Sequence, residues 1–353
     1  MSVVDPWQSI VVHTMVGGKS VQLYQFLPEH QTSLKWTRTL RETSRCDLTA
    51  PVAPELNPRE LITPWLHWLS VYDSSGEDLY WTGPIVYAEG DYDTVTLTAM
   101  DVSVFAKATN VPISKRYETT DVADIAADLY GHIARQHNLP LRPIVRRDPE
   151  GDPIDFQLKQ DEQDVASVIE QLAGLGLYWS VVSGVPVLGP ASSRAITALG
   201  EQDFLEGGLK WVRDGQGSFN EVLVRGAEDL ARANLPMGGL HLQKIVNIED
   251  MFAVGNVQRA ADQYVRQTGF IRDAITIPGG AKLHPDAPVD ISHLIPSTRF
   301  EVETFGIQTR VELEGIEVNT ASGDESVGVN LESVLPKTDL GKAAKSSTGG
   351  TDS

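Results

Sequence analysis

At 353 residues with 41% apolar side chains, the chain is long enough for two or three domains, at about 150 residues each, and for a sizeable buried core. Its 29 Lys and Arg stand against 48 Asp and Glu, and the net charge of −19 excludes a basic surface built to grip nucleic acid. The single cysteine, Cys46, excludes a disulfide framework and a cysteine-based zinc site, and no run approaches the roughly 18 apolar residues of a membrane helix.

The opening Met1-Ser2-Val3-Val4-Asp5-Pro6 has no basic stretch, so no secretory leader is expected. Gly17-Gly18-Lys19-Ser20 is similar to the end of a phosphate loop. The position five before Gly18 is His13 rather than glycine, and Val21 to Phe26 alternates like a strand, so a hairpin turn is expected there. Trp36, Trp65, Trp68 and Trp81 crowd this first stretch and read as a small β-core or an interface; a sugar platform is the sharper alternative. Cys46 has no catalytic signature around it and reads as a small buried side chain. Glu89, Asp91 and Asp93 could serve glycoside hydrolysis or calcium, but their spacing fits no calcium loop and a solvated acidic turn is favoured. In Thr94 to Met100, Val95, Leu97 and Ala99 share one face of a strand and the threonines the other.

Amphipathic spacing predicts a helix from Asp121 to His137, with Thr120 or Asp121 as cap and Asn138-Leu139-Pro140 as stop. His132 and His137 lie five positions apart, poor spacing for two ligands on one helix face. A second helix is expected from about Asp161 to Ala173, with an acidic start and Gly174 and Gly176 at its end. Leu177 to Val182, Ser183-Gly184 and Val185 to Leu188 read as a strand, a tight turn and a return strand. Gly207-Gly208 and Gly215-Gln216-Gly217 lack the strand–helix setting of a dinucleotide site and read as turns. A third helix is expected from about Asn256 to Thr268, with Gly269 as stop. His284 and His293 flank a Pro- and Asp-containing loop where a metal is conceivable, although a solvated loop is favoured. Phe300, Val302 and Thr304, then Val327, Val329 and Leu331, alternate as strands.

The expected fold is therefore mainly β with α+β. Residues 1–112 and 191–335 are strand-rich and could be a diverged pair of small barrels. Residues 113–190 form a compact α+β unit of two helices and a hairpin between them. An insertion of about 227–298 carries the third helix, and the polar tail 336–353 is expected to be disordered. No catalytic, cofactor-binding or metal-ligating residue is assigned.

This order of elements resembles the hub proteins at the distal end of long phage tails: minor tail proteins of siphophages infecting actinobacteria, the baseplate hub of contractile phages and the type VI secretion spike. The resemblance runs through Trp36-Thr37-Arg38, Cys46-Asp47-Leu48-Thr49-Ala50-Pro51, Trp81-Thr82-Gly83-Pro84-Ile85, Val95 to Asp101, the helices Asp121 to His137 and Asp164 to Ala173, Phe219 to Gly226 and Gln258-Arg259-Ala260-Ala261. It implies a non-enzymatic homotrimer whose paired barrel-like domains make a ring of six. That ring would match the sixfold tail tube to the threefold tip and line the DNA channel. Its implied partners are the distal tail ring, the tape-measure protein and other minor tail or tip proteins. It implies no cofactor, no membrane insertion and DNA only in passage, in a virion component assembled in the host cytoplasm. An acidic lumen is expected, since negative walls repel DNA. Two other readings stand beside it: a tail-associated glycan or peptidoglycan hydrolase, needing two carboxylates across a cleft, and a non-catalytic carbohydrate-binding adaptor, needing exposed tryptophan.

Overall fold

The computed structural model describes residue 3 and residues 7–333, apart from 17–18, 27–32, 52–61, 149–152, 193, 206–209, 228, 249–253, 270–271, 277–280, 305–306 and 322–323. The expected tail 336–353 and Gly207-Gly208 thus lie outside the described residues, as do the two turn glycines Gly17 and Gly18.

The chain opens with β1 (Ser9–Val16), β2 (Lys19–Phe26), β3 (Ser33–Thr39), β4 (Arg45–Pro51), β5 (His67–Tyr72), β6 (Leu79–Gly90) and β7 (Thr94–Met100). A short α1 (Val104–Lys107) leads to β8 (Lys115–Thr120), α2 (Val122–Gln136), β9 (Ile144–Val145), β10 (Ile154–Leu158), α3 (Val165–Gly174), β11 (Trp179–Val182) and β12 (Val185–Leu188). Then follow β13 (Ala195–Gly200), β14 (Lys210–Asp214), β15 (Glu221–Arg225), β16 (Leu230–Asn234), β17 (Gln243–Asn247), α4 (Val254–Thr268), β18 (Arg272–Thr276), β19 (Ala281–Lys282), β20 (Arg299–Thr304), β21 (Ile307–Ala321) and β22 (Asp324–Ser333). The protein is mainly β, with few helices and several largely antiparallel sheets.

Among the described residues the largest sheet has 14 strands and takes them from both ends of the chain. Its main path runs β14-β18-β22-β21-β3-β4-β7-β6-β5-β1-β2, with β20 and β13 branching from β21, and β19 from β22. Two long strands let it turn. In β6, residues up to Pro84 pair with β5 and residues from Ile85 pair with β7, and a bulge between Ile85 and Tyr87 bends the strand just past the change of partner. Gly83 sits at that bend because an added Cβ would collide with the Met100 carbonyl. In β21 a bulge between Leu313 and Gly315 separates the segment beside β20 from the segment beside β3.

The strand faces follow the residue alternation. In β3, Leu34, Trp36 and Arg38 point inward, and Ser33 and Lys35 outward; β4 repeats the pattern with Cys46, Leu48 and Ala50 inward. Trp36, Leu48 and Leu97 join Phe300, Leu313 and Val327 in one apolar core. The opening and closing strands therefore share an interior.

A second core holds the helices. Leu129 of α2, Phe156 of β10 and Val168 of α3 pack with Val222, Val224, Val257 and Ala261. Val222 and Val224 belong to a separate three-stranded sheet, β16-β15-β17, and Val257 and Ala261 to α4, which lies on it. That unit leaves the large sheet after β14 and returns at β18, which pairs with β14 from Lys210–Thr276 to Asp214–Arg272.

Helix α2 starts where its spacing indicates: Asp121 is the cap and its carboxylate accepts the Ala123 N–H at 2.8 Å. Helix α3 begins later than expected. Asp161 adopts φ +58° in a turn, where its N–H donates to Val111 at 3.0 Å, and Asp164 is the true cap, accepting from the Ser167 N–H at 2.7 Å. Helix α4 runs from Val254 to Thr268, two residues longer at its start than expected. The β11–β12 turn is Ser183 (φ +51°) and Gly184 (φ +76°), the left-handed pair that matches hairpin twist.

Candidate assembly surfaces

The main path of the large sheet ends in one strand from each half of the chain. Among the described residues β2 pairs only with β1, and β14 only with β18. Strand β2 is mostly exposed, with Val21 and Leu23 facing solvent, whereas Ile10 and Val12 of β1 are buried. An edge strand offers a row of unpaired N–H and C=O groups to another chain. Apolar exposure also gathers on the β16-β15-β17 unit: Leu230, Leu240 and Ile245 are each more than half exposed.

A charged joint links the large sheet and the helical half. Arg41 follows β3 at φ +60°. Its N–H donates to the Trp179 carbonyl at 2.8 Å, its Nε to the Leu177 carbonyl at 3.2 Å, and its guanidinium lies 4.7 Å from the Tyr178 ring centre. Across the joint Glu312 is ion-paired to Arg299 at 3.1 Å and stands opposite Glu332 in the β21–β22 register. Glu314, at the bulge, is pushed up to about 8, first by burial and then by the neighbouring Glu332, to which its side chain is hydrogen-bonded. Two carboxyls sharing a proton satisfy each other where two carboxylates would repel.

Arg38 is a second buried cation. It is fully enclosed, donates to the carbonyls of Tyr80 at 2.6 Å and Ile291 at 3.0 Å, and lies over Trp36. Burial lowers it to about 10, so it remains charged at neutral pH. It ties β3 and β6 to a segment some 250 positions later. His13 is also buried, between the hydroxyls of Ser20 at 2.9 Å and Ser70 at 2.8 Å, and burial lowers its pKa. The alternation of β1 and β3 marks these positions as inward-facing, but nothing in the sequence names their partners.

The residues weighed for chemistry are dispersed. Lys19 and Ser20 start β2 of a hairpin, with Val16 paired to Lys19, so no phosphate loop leads into a helix. His132 lies 3.8 Å from Asp128, while His137 bonds Thr109 at 2.8 Å. His284 lies beside Asp286, and the His293 N–H donates to the Asp290 carbonyl. Among the described residues no group of three or more His, Cys, Asp or Glu is placed to hold a metal ion. Cys46 is buried and its thiol is pushed well up by burial, then by Asp47, which leaves it a poor nucleophile. Asp91 caps its own turn: its carboxylate accepts from the N–H groups of Thr94 at 2.7 Å and Asp93 at 2.9 Å, which lowers its pKa. Glu89 accepts from the exposed Tyr87 hydroxyl at 2.6 Å. Gly215, Gln216 and Gly217 lie in the link from β14 to β15. Of the four tryptophans, Trp36, Trp68 and Trp81 are buried, and Trp65 is exposed at φ +69° with its ring edge-on to Phe105.

No protein-family model matches the chain, and no curated relative does. Solved structures do. A tail protein from Neisseria meningitidis MC58 superposes with a TM-score of 0.62 at 17% identity, covering 92% of this chain and 96% of that one. The 43 kDa tail protein of prophage MuSo2 from Shewanella oneidensis gives 0.60 at 16% identity, covering 93% and 99%. Prophage tail protein gp18 from Listeria monocytogenes EGD-e gives 0.58 at 12% identity, covering 97% and 100%. The chain has the fold of phage tail proteins over nearly its whole length.

Proposed function

We propose that this protein is a structural, non-enzymatic hub of a phage tail tip: a minor tail or baseplate hub protein assembled in the host cytoplasm and carried in the virion. The observation that carries the reading is the fold shared with three tail proteins over more than 90% of both chains. In this reading three copies form a ring. Each copy contributes two barrel-like modules, one around β1–β7 and one around the later strands of the large sheet, with boundaries near residues 112, 190 and 335. The helical half decorates the outside. Two of the sheet's end strands support closure, because β2 and β14 come from different modules and a head-to-tail contact between them generates a ring when the rotation closes. The ring adapts a sixfold tube to a threefold tip and meets the distal tail ring above, the tape-measure protein within and tip proteins below. DNA passes through a lumen lined by part of the chain's 48 acidic residues.

The mass of the purified protein in solution, followed by immunogold labelling of intact virions, tests this. Three copies per particle in solution and label at the tail tip are expected. A stable monomer absent from virions overturns the reading, and a basic bore in an assembled ring overturns the acidic lumen.

A further inference from the structure

A pocket of about 390 Å³ opens on the helical half, within the roughly 300–1,000 Å³ typical of small-ligand sites. It is lined by Ala108, Asn110, Pro112, Gln136, Gln160 and Asp161. Its floor is held firmly. Val165 donates to Thr109 at 2.9 Å, Val111 to Gln163 at 2.9 Å and Asp161 to Val111 at 3.0 Å, and the Gln160 N–H donates to the Ser114 hydroxyl at 3.0 Å. These bonds fix two antiparallel stretches of backbone and set Asp161 at φ +58°, a conformation unusual for a residue other than glycine.

The lining holds one anion and no cation. Asp161 is the one charged residue among the six, and it is a carboxylate. Gln136 is the last residue of α2, whose C-terminal carbonyls form the negative end of the helix dipole. Pro140 has no N–H with which to continue that helix. Of the cations near the lining in sequence, Lys159 pairs with Glu162 at 3.4 Å, the Arg135 guanidinium lies beside Gly131, His137 bonds Thr109 at 2.8 Å, and Lys107 precedes Ala108 at the end of α1. Asn110, Gln136 and Gln160, all exposed, add side-chain amides whose oxygens can accept. Among the described residues, no side-chain hydrogen bond engages these three amides or the Asp161 carboxylate.

We infer that this pocket is a subsite for the guanidinium of an arginine side chain presented by a partner protein. A planar fork of N–H donors can bind a carboxylate with two parallel bonds and still reach flanking amide oxygens, which a compact ammonium does less well. The pocket's chemistry does not depend on tail assembly.

Amide-resolved NMR titration of the full chain tests it, with N-acetyl-arginine amide as the probe. N-acetyl-lysine amide and N-acetylglucosamine serve as the comparison arms. The expected result is saturable shifts of the side-chain NH₂ signals of Asn110, Gln136 and Gln160. Arginine should bind at least threefold more tightly than lysine, and Asp161→Asn should weaken it at least tenfold with the remaining spectrum unchanged. Three outcomes overturn the inference: no saturable shift with arginine, equal response to lysine or to the sugar, or arginine binding that survives Asp161→Asn. If Asp161→Asn perturbs the fold, Gln136→Leu is the second variant, with an expected loss of at least threefold.

Discussion

The two cores of this molecule are built on opposite principles. The sheet core takes side chains from both ends of the chain, so Trp36 and Val318 face the same interior although their strands are the third and the second last. The helical core also gathers residues from Trp68 to Val265, but its strand pairings are more local: β8 and β10 pair around α2, and β11 and β12 make a hairpin directly after α3. Non-local pairing incurs a loop-closure cost before its contacts form, whereas local pairing does not. The difference implies that the sheet core behaves as one cooperative unit spanning both ends of the chain, and that the helical half can keep its structure when the sheet is weakened.

The strongest way to break that comparison is to remove the largest buried ring of the sheet. Trp36→Ala leaves a cavity and orphans Gln8, whose side-chain oxygen accepts from the indole at 2.9 Å; a loss of about 3–5 kcal/mol is expected in urea unfolding. Hydrogen exchange should then rise in β3 and β21 together while α2 stays protected. Exchange that rises only in the first 112 residues would show that the two ends are independent. Arg38→Ala comes next, at about 2–3 kcal/mol, because it strands the buried carbonyls of Tyr80 and Ile291.

The charged joint gives a smaller, pH-dependent effect. Glu314 binds its proton more tightly in the folded chain, at about 8, than at its ordinary 4.5. Stability therefore falls as pH rises through that window and is level above it. Glu314→Gln keeps a donor toward Glu332 and should flatten the melting temperature across pH 5–8, removing most of that fall. An unchanged slope would place the titrating group elsewhere. Asp121→Ala should cost about 1 kcal/mol, read as lost exchange protection in the first turn of α2 and no change in the sheet. Last is Glu317→Gln at the half-exposed pair with Lys35, expected to change stability by less than about 0.5 kcal/mol.

What could be read in the sequence follows the same division. Periodicity located α2 and α4 because a helix face is a local pattern, and it located β7 and β20 because alternation is local too. It misplaced the start of α3: Asp161-Glu162 has the charge of a first turn, but the backbone bond from Asp161 to Val111 holds a turn there and passes the cap to Asp164. The order of elements pointed to the tail-protein fold. Alternation could not reveal that β3 lies beside β21, since partner choice is settled by the closing of the sheet. Nor could it reveal the Arg41–Glu312–Glu314–Glu332 joint, whose members are scattered acidic and basic residues until the sheet places them together. Asn110, Gln136, Gln160 and Asp161 carry no motif; only the packing of α2 against two backbone stretches makes them neighbours.

The partnership of Lys35 with Asn319 has a consequence for biosynthesis. One side of β3 must wait for a strand that leaves the ribosome about 280 residues later, a delay of about 15–60 s at 5–20 residues per second. During that interval the nascent chain presents an open β-edge in a crowded cytoplasm. Yield in the host should therefore respond more to translation speed and chaperone supply than to modest changes in the equilibrium strength of the finished fold.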